Sequence, residues 1–402
     1  MTPPSQTRPA GARAVAPPGG AEPGAGLLAW LDQQATQRAG AGLTRRLDPD
    51  AAGAGILDLA GNDYLGLRGH PDVTEGAVAA TRRWGAGAGA SRLVTGTLQI
   101  HQQLERELAQ FCGHGSALVF SSGYLANLGV VTSLAGPGDL IVSDAHVHAS
   151  LIDACRLSRA QIHRVAHNDV AAVGRALAGR SQERALVLTE SIFSVLGDPA
   201  PLADLAQVCA EQDAVLVVDE AHSLGVAGPG GRGLVAAAGL AGRPDVVVTV
   251  TLSKALGSQG GAVLADPRVR DHLVNRARTF IFDTGLMPAA VGAALAALGV
   301  LADQPERVAA LARVAAALAH AVDVPQPAGA VLAVALPGPQ QAVEAASRCA
   351  SEGLRVGCFR PPSVPDGVSR LRLTARATLT RPELDHAART LATVLATAPP
   401  AA

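Results

Sequence analysis

Lysine is almost missing from this chain. Among 33 lysine and arginine side chains in 402 residues, Lys254 is the only lysine. Where a positive charge suffices, arginine supplies it. On count alone, the single lysine is either a surface leftover of arginine-biased coding or a residue kept for work a guanidinium cannot do, such as attack by a neutral primary amine; its place after an apolar strand and inside a glycine-rich turn favours the second. Aromatic residues are scarce at 2%, against 48% hydrophobic residues in all, so the core must be built from Ala, Val and Leu. A net charge of −1 with no basic cluster gives nucleic-acid binding no electrostatic support. The five cysteines are odd in number and form no CxxC, which argues against a disulfide framework or a zinc knuckle and predicts reduced thiols in a cytoplasm. Residues 1–24, rich in Pro, Ala and Gly, lack the apolar run of a secretory signal and read as a disordered tail. Residues 284–302 carry no charge, but they are mostly Ala and Gly. Such weak hydrophobicity predicts a buried core helix rather than a membrane span.

What is present reads as alternating elements. A helix over 27–38 and a short strand over 56–60 precede a turn-rich segment, Asn62-Asp-Tyr-Leu-Gly-Leu67. Helices follow over 71–84 and 100–112. The Gly-Ala run at 85–92 between them follows a helical stretch rather than a strand, so it fails the context a dinucleotide fingerprint requires. Short apolar strands are then expected over 117–121, 139–143, 161–165, 185–190, 214–219, 245–251 and 261–265. Helices fit between the first five, which implies right-handed crossovers and a parallel sheet covered on both faces. Too few residues separate 251 from 261 for a parallel crossover, so the last strand should run antiparallel. The fold class is α/β, a mainly parallel seven-stranded sheet followed by a smaller C-terminal α+β domain. The expected divisions are a tail over 1–24, an N-terminal helix and strand segment over 25–60, a large domain over 61–285 and a small one over 286–398.

In open α/β sheets, ligands lie at the carboxyl ends of the strands. After the first strand comes Ser121-Ser122-Gly123-Tyr124 and at once a helix, the arrangement of a phosphate cradle; serine and glycine there also serve as plain helix caps. Asp219 ends an apolar strand and is followed by Glu220-Ala-His222. A buried carboxylate needs a cation or a ligand, and a metal would need a third ligand that is not evident, so none is expected. Lys254 follows the next strand. A carboxylate after one strand and a lysine after the next suit pyridoxal 5′-phosphate. The lysine would form the Schiff base, and Asp219 would keep the pyridinium nitrogen protonated. His222 or Ser194 could bond the ring's phenolic oxygen. His148 could stack on the ring, with His146 as its competitor.

These motifs resemble the α-oxoamine synthases, which are fold-type-I pyridoxal phosphate enzymes. The resemblance rests on Asn62–Leu67, His148-Ala-Ser-Leu151, Asp219-Glu-Ala-His222, Thr251-Leu-Ser-Lys254, Arg360-Pro-Pro-Ser-Val-Pro365 and Arg370-Leu-Arg-Leu-Thr374. It implies that Lys254 carries the cofactor and also acts as base. It implies that Asp219, His222, Ser194 and His148 contact the ring, with Ser122, Gly123, Tyr124 and Thr251 holding other cofactor atoms. Thr284 would reach the phosphate bound by a partner subunit, which implies a homodimer. Arg372 would bind the amino-acid carboxylate and Asn62 is a further substrate-binding candidate, while Ser363 and Arg45 would meet the acyl substrate. The implied reaction is a decarboxylative condensation, in which the 360–365 segment favours L-alanine and a pimeloyl thioester, as in biotin synthesis, over glycine and acetyl-CoA. The chain departs from the family at Ala90, where glycine is usual, and at Thr44, where arginine is usual.

Overall fold

The computed structural model describes residues 24–41, 43–45, 47, 55–361 and 364–396. Almost all of the expected tail, and the substrate candidate Ser363, lie outside these residues. Contacts divide the chain into Met1–Pro49 and Asp50–Ala402. The first unit contains helix α1 (Ala25–Gly40), none of whose residues is buried. Arg45 belongs to that unit and is exposed.

The second unit opens with β1 (Leu57–Leu59), α2 (Pro71–Trp84) and α3 (Gln99–Cys112). Strands and helices then alternate as β2 (Ser116–Phe120), α4 (Gly123–Leu134), β3 (Leu140–Asp144), α5 (Ala149–Ser158), β4 (Gln161–Val165), α6 (Val170–Ala178) and β5 (Ala185–Glu190). Next come α7 (Leu202–Glu211), β6 (Val215–Asp219), the short α8 (Leu234–Ala237), β7 (Val246–Thr251) and β8 (Gly261–Ala265). Helices α9 (Pro267–Arg276), α10 (Arg278–Ile281), α11 (Pro288–Asp303) and α12 (Glu306–Ala321) lead to β9 (Val331–Leu336) and α13 (Pro339–Ser351). The described chain ends with β10 (Leu354–Phe359), β11 (Ser369–Thr374) and α14 (Arg381–Ala396).

Strands β2 to β8 form one sheet in the order β2-β8-β7-β6-β5-β3-β4. Only β8 pairs antiparallel with its neighbours, as the short connection from β7 requires. The alternation of a strand covered on both faces is visible in β6. Leu216 and Val218 join the core on one side of the sheet, and Val217 joins the core on the other.

Register places the polar strand ends along one edge. Phe120 and Thr251 both stand opposite Gly261, Asp219 opposite Thr249, and Glu190 opposite Asp219. A second sheet of order β1-β10-β11-β9 carries Arg370 and Arg372 on β11. β1 pairs in parallel with β10, and α11 packs along α2 and α3. At one crossing, a Cβ on Gly292 would lie 2.3 Å from the Gly76 carbonyl oxygen. No helix among the described residues is long and apolar enough to cross a membrane.

Candidate active site

A cavity of about 470 Å³ opens where the strand ends of the large sheet meet β10 and β11. Lys254, His148, His222, Ser194, Asn62 and Arg372 all line it, so six of the residues singled out from sequence share one space. The strand β7 delivers Lys254 to the cavity wall through the turn that precedes β8. Burial draws its amine below the ordinary lysine range, against the pull of Asp219 and Glu190. A larger neutral fraction of a primary amine is what proton abstraction or nucleophilic attack requires.

Asp219 is fixed from two sides. The Asn127 amide donates to its Oδ2 at 2.7 Å, and the Ala221 N–H donates to Oδ1 at 2.9 Å. Asn127 Nδ2 also donates to Ser150 Oγ at 2.8 Å, and its Oδ1 accepts from the Thr249 hydroxyl at 2.6 Å. Ser150 in turn meets His148 Nδ1 at 2.7 Å. A single hydrogen-bonded network thus runs from the exposed His148 through the buried Ser150 and Asn127 to the carboxylate that ends β6. His148 caps α5, and Asp219, Lys254 and Asp153 are the charges acting on it. His146 also lines the cavity, but its ring lies 4.6 Å from that of His167. Its charged neighbours are His167, Asp366, Asp144 and Arg370. The two candidates that sequence leaves open therefore separate, with His148 beside the lysine and aspartate.

His222 is buried, and burial followed by the charges of Lys254, Arg372 and His148 pushes its imidazole well below the ordinary range. Its Nδ1 is 2.7 Å from the Tyr64 hydroxyl, which also lies 2.9 Å from Asn62 Oδ1. Tyr64 has one proton for two neighbours. The rotor that donates to Asn62 Oδ1, which also accepts from Arg372, leaves Nδ1–H to donate to the tyrosine oxygen and Nε2 as an acceptor facing the cavity. Burial raises the Tyr64 phenol to about 12, so it works as a neutral hydrogen-bonding group. Arg372 donates through Nε to the Ser194 carbonyl at 2.7 Å and through Nη2 to Asn62 Oδ1 at 3.3 Å.

Glu190 ends β5 beside Asp219 and is also buried. Burial, with Asp219 as the next influence, pushes its carboxyl well above the usual carboxylate range, as expected for adjacent acids in a dry site. Its Oε2 accepts from the Ser194 N–H at 3.0 Å, and its Oε1 has no partner among the described residues.

The cradle after β2 is built from backbone. Ser122 caps α4 by accepting from the Leu125 N–H at 3.1 Å. A Cβ on Gly261 would lie 2.4 Å from the Gly123 nitrogen, and one on Gly123 would lie 3.2 Å from Thr251 Cβ. Glycine at 261 is what lets β8 approach the start of α4. Gly261→Ala is therefore expected to destabilise by about 1–3 kcal/mol through overpacking, seen as a thermal midpoint lowered by several degrees. An unchanged midpoint would show that the contact has slack. Tyr124 points its hydroxyl to Asp153 Oδ2 at 2.7 Å and is exposed. Thr284 is exposed as well and forms an isolated bridge with Ser91. Neither lines the cavity. At the departure from pattern at Ala90, the backbone lies outside the left-handed region, so an alanine there carries no conformational strain.

Sequence reasoning misses Tyr64, Asn127, Ser150, Thr249 and Glu190. Glu190 has the same signature as Asp219, a carboxylate that finishes an apolar strand. Tyr64 is one of only two tyrosines and lies inside the Asn62–Leu67 motif. Asn127 shows only as one polar residue in an apolar helix.

The family described as aminotransferase class I and II matches residues 54–391. The 8-amino-7-oxononanoate synthase of Mycobacterium sp. (strain KMS) is 61% identical over 372 residues, which is 92% of this chain and 97% of that protein. Among solved structures, a serine palmitoyltransferase from S. paucimobilis with a pyridoxal phosphate–myriocin adduct bound is similar at a TM-score of 0.83. It shares 29% identity, over 92% of this chain and 97% of that one. The 8-amino-7-oxononanoate synthase of Francisella tularensis is similar at a TM-score of 0.73 and 27% identity, over 85% and 98% of the two chains.

Proposed function

The chain belongs to the aminotransferase class I and II family and, within it, to the 8-amino-7-oxononanoate synthases, and from that premise we propose how its residues carry out the reaction. L-Alanine and a pimeloyl thioester condense with loss of CO2 and free thiol to give 8-amino-7-oxononanoate, a step of biotin synthesis. The observation that carries the reading is one cavity with Lys254 and Arg372 on its walls. An amine of lowered basicity and a cation for a carboxylate are what an α-amino acid needs at its α-carbon and its acid end.

The residues present fit pyridoxal phosphate. The start of α4, with Ser122, Gly123 and Tyr124 and with Thr251 alongside, would take the phosphate. The close approach of Gly261 to Gly123, which a Cβ would fill, leaves that cradle lined by backbone. Asp219 would face the ring nitrogen, His222 Nε2 and Ser194 the phenolic oxygen, and His148 one face of the ring. Lys254 Nζ would hold the cofactor. When bound, the cofactor supplies an electron sink for the pair left at the α-carbon.

The chain's own residues do the remaining work. Arg372, steadied by Asn62 and the Ser194 carbonyl, would bind the alanine carboxylate through charge-assisted hydrogen bonds. Lys254 Nζ would take the α-proton and later return one to the product carbon. The resemblance offers Ser363 and Arg45 for the acyl substrate; Ser363 lies outside the described residues and Arg45 belongs to the first unit.

A homodimer completes the reading. Ser91 and Thr284 bridge two segments that leave Leu93, Val94, Phe282 and Met287 exposed, an apolar patch of the kind a partner covers. Thr284 on that patch would serve the partner's phosphate cradle. The five cysteines are all free, in keeping with action in the cytoplasm. The test assays L-alanine, glycine and L-serine against pimeloyl-, acetyl-, succinyl- and palmitoyl-CoA. Alanine with pimeloyl-CoA should give the highest kcat/KM, and a preference for glycine with acetyl-CoA would move the protein to another α-oxoamine reaction.

A further inference from the structure

Outside the cavity lies a cluster that the reaction does not use. His167, which follows β4, sits between two carboxylates. Its Nδ1 is 3.1 Å from Asp144 Oδ1, and its Nε2 is 2.8 Å from Asp198 Oδ2. With both ring nitrogens facing carboxylates, only the doubly protonated imidazolium donates to both. We propose that His167 is a positioning residue, a charged clasp that fastens the 192–199 loop to the end of β3 and thereby holds Arg372 ready for the amino-acid carboxylate.

The loop is a closed block. Phe193 donates to the Asp198 carbonyl, Gly197 to the Phe193 carbonyl, and Ile192 bridges Pro199. Phe193, Ser194, Val195 and Leu196 form a wall of the cavity, and the Ser194 carbonyl receives Arg372 Nε. Moving the block therefore moves the acceptor that orients the guanidinium. The Phe193 ring stands edge-on to His167 at 4.3 Å, so the imidazole touches the block through packing as well as charge. Asn168 adds a neutral tie, its Nδ2 donating to Asp198 Oδ2 at 3.2 Å and to the Pro199 carbonyl at 3.2 Å.

The other end of the clasp is anchored independently. Asp144 accepts from the backbone N–H groups of His146 and Asn168, each at 2.7 Å. These two bonds do not depend on His167, so the turn leading to His148 keeps its shape when the clasp opens. The loss falls on the 192–199 side.

Charge state follows from the surroundings. Burial opposes the imidazolium, but Asp144 and Asp198 outweigh it and raise its pKa to about 9. The group also faces His146, whose ring is tilted against it at 4.6 Å and in turn feels Asp366 and Arg370. A pKa raised in the folded state gives stability that is fully present below the unfolded value of about 6.5 and lost by about 9. In the native protein the clasp itself stays closed until pH approaches about 9.

The inference rests on the reading that Arg372 takes the alanine carboxylate, so Arg372→Lys is the reference variant. It should raise the alanine KM; if it does not, that reading fails whatever the clasp does. With Arg372 established, kcat and alanine KM are measured for the cofactor-loaded protein, Asp198→Asn and His167→Gln from pH 6.5 to 8.5. Asp198→Asn, the milder change at a part-exposed side chain, removes one of the two charges that hold the imidazolium. Its alanine KM should rise roughly tenfold, the lower end of what a charge-assisted hydrogen bond is worth, with kcat within about twofold. Because the imidazole then loses its proton nearer neutrality, the ratio of variant to wild-type KM should grow with pH across that window. Alanine's own amine is common to both proteins and cancels in the ratio. His167→Gln, which has nothing to titrate, should raise KM even at pH 6.5, where the wild-type imidazole is charged. A ratio for Asp198→Asn that is flat with pH, or kcat and kcat/KM falling together in either variant, would overturn the proposal and leave His167 as packing alone.

Discussion

Lys254→Arg should reduce kcat by at least about a thousandfold, the scale on which single acid–base or nucleophilic groups act, while the thermal midpoint changes little. Arginine keeps the positive charge that Asp219 and Glu190 sustain at this position, and it has a comparable apolar stem for the turn before β8. What it lacks is a nitrogen that can lose its proton near neutrality. A guanidinium remains protonated under all physiological conditions, so it can neither hold the cofactor covalently nor accept the α-proton. The lowered basicity that burial gives the lysine is useless to it. Borohydride reduction of the protein loaded with pyridoxal phosphate supplies an independent measurement. Label should appear on a single peptide, the one that contains Lys254, and should vanish in the arginine variant. Turnover retained by Lys254→Arg would remove the lysine from the chemistry, whatever else the cavity does.

The scarcity of lysine makes this residue legible in the sequence alone. One lysine among 33 cationic side chains is informative only because the chain otherwise uses arginine throughout. The sheet is legible for a different reason. Strands buried on both faces are nearly uninterrupted apolar runs, and chain length between 251 and 261 forces β8 to reverse. Every expected strand of the large sheet is present, with ends shifted by no more than a residue or so, and the antiparallel β8 stands between β2 and β7. What sequence does not provide is which polar groups meet across it. Asn127 belongs to a helix whose other residues are almost all apolar, and its role appears only when α4 sets it against Asp219 and Ser150. His167 and Asp198 come from different loops, and nothing in either segment announces the other. Tyr64 lies in a motif whose pattern is that of a turn. Its hydroxyl meets His222, more than 150 residues away, only because the chain folds back there. Residues at strand ends can be read from pattern, whereas partners supplied by tertiary packing cannot.

Asp219→Asn should lower kcat by about 10²–10³-fold with the cofactor at saturation, and should weaken pyridoxal phosphate binding as well. The substitution is nearly isosteric, so its effect comes from charge and hydrogen-bond polarity. In the parent protein Asp219 accepts on both oxygens, from Asn127 Nδ2 and from the Ala221 N–H. An asparagine can present one acceptor and must turn an NH2 toward the other donor. If its oxygen stays with Ala221, its amide nitrogen confronts Asn127 Nδ2. Asn127 cannot simply turn over to receive it, because its own oxygen is held by the Thr249 hydroxyl and its nitrogen also serves Ser150. At least one buried donor is left unpaired, at a cost of about 1–3 kcal/mol. The cofactor loses more. A protonated ring nitrogen that faced a carboxylate would face a neutral amide, and breaking one member of a buried charge pair costs about 3–5 kcal/mol. With the ring nitrogen placed as proposed, Asp219 is the residue that would keep it protonated, and without that carboxylate the electron sink the cofactor supplies would be weaker. Two measurements separate this from general damage. Stopped-flow mixing of the variant with alanine should show substrate binding preserved, because Arg372 lies on β11 and its bonds to Asn62 and Ser194 do not involve Asp219. Solvent-exchange of the alanine α-proton should slow in parallel with kcat. A variant whose α-proton exchanges at the wild-type rate would show that the carboxylate at the end of β6 is structural, with the ring nitrogen answered by some other group.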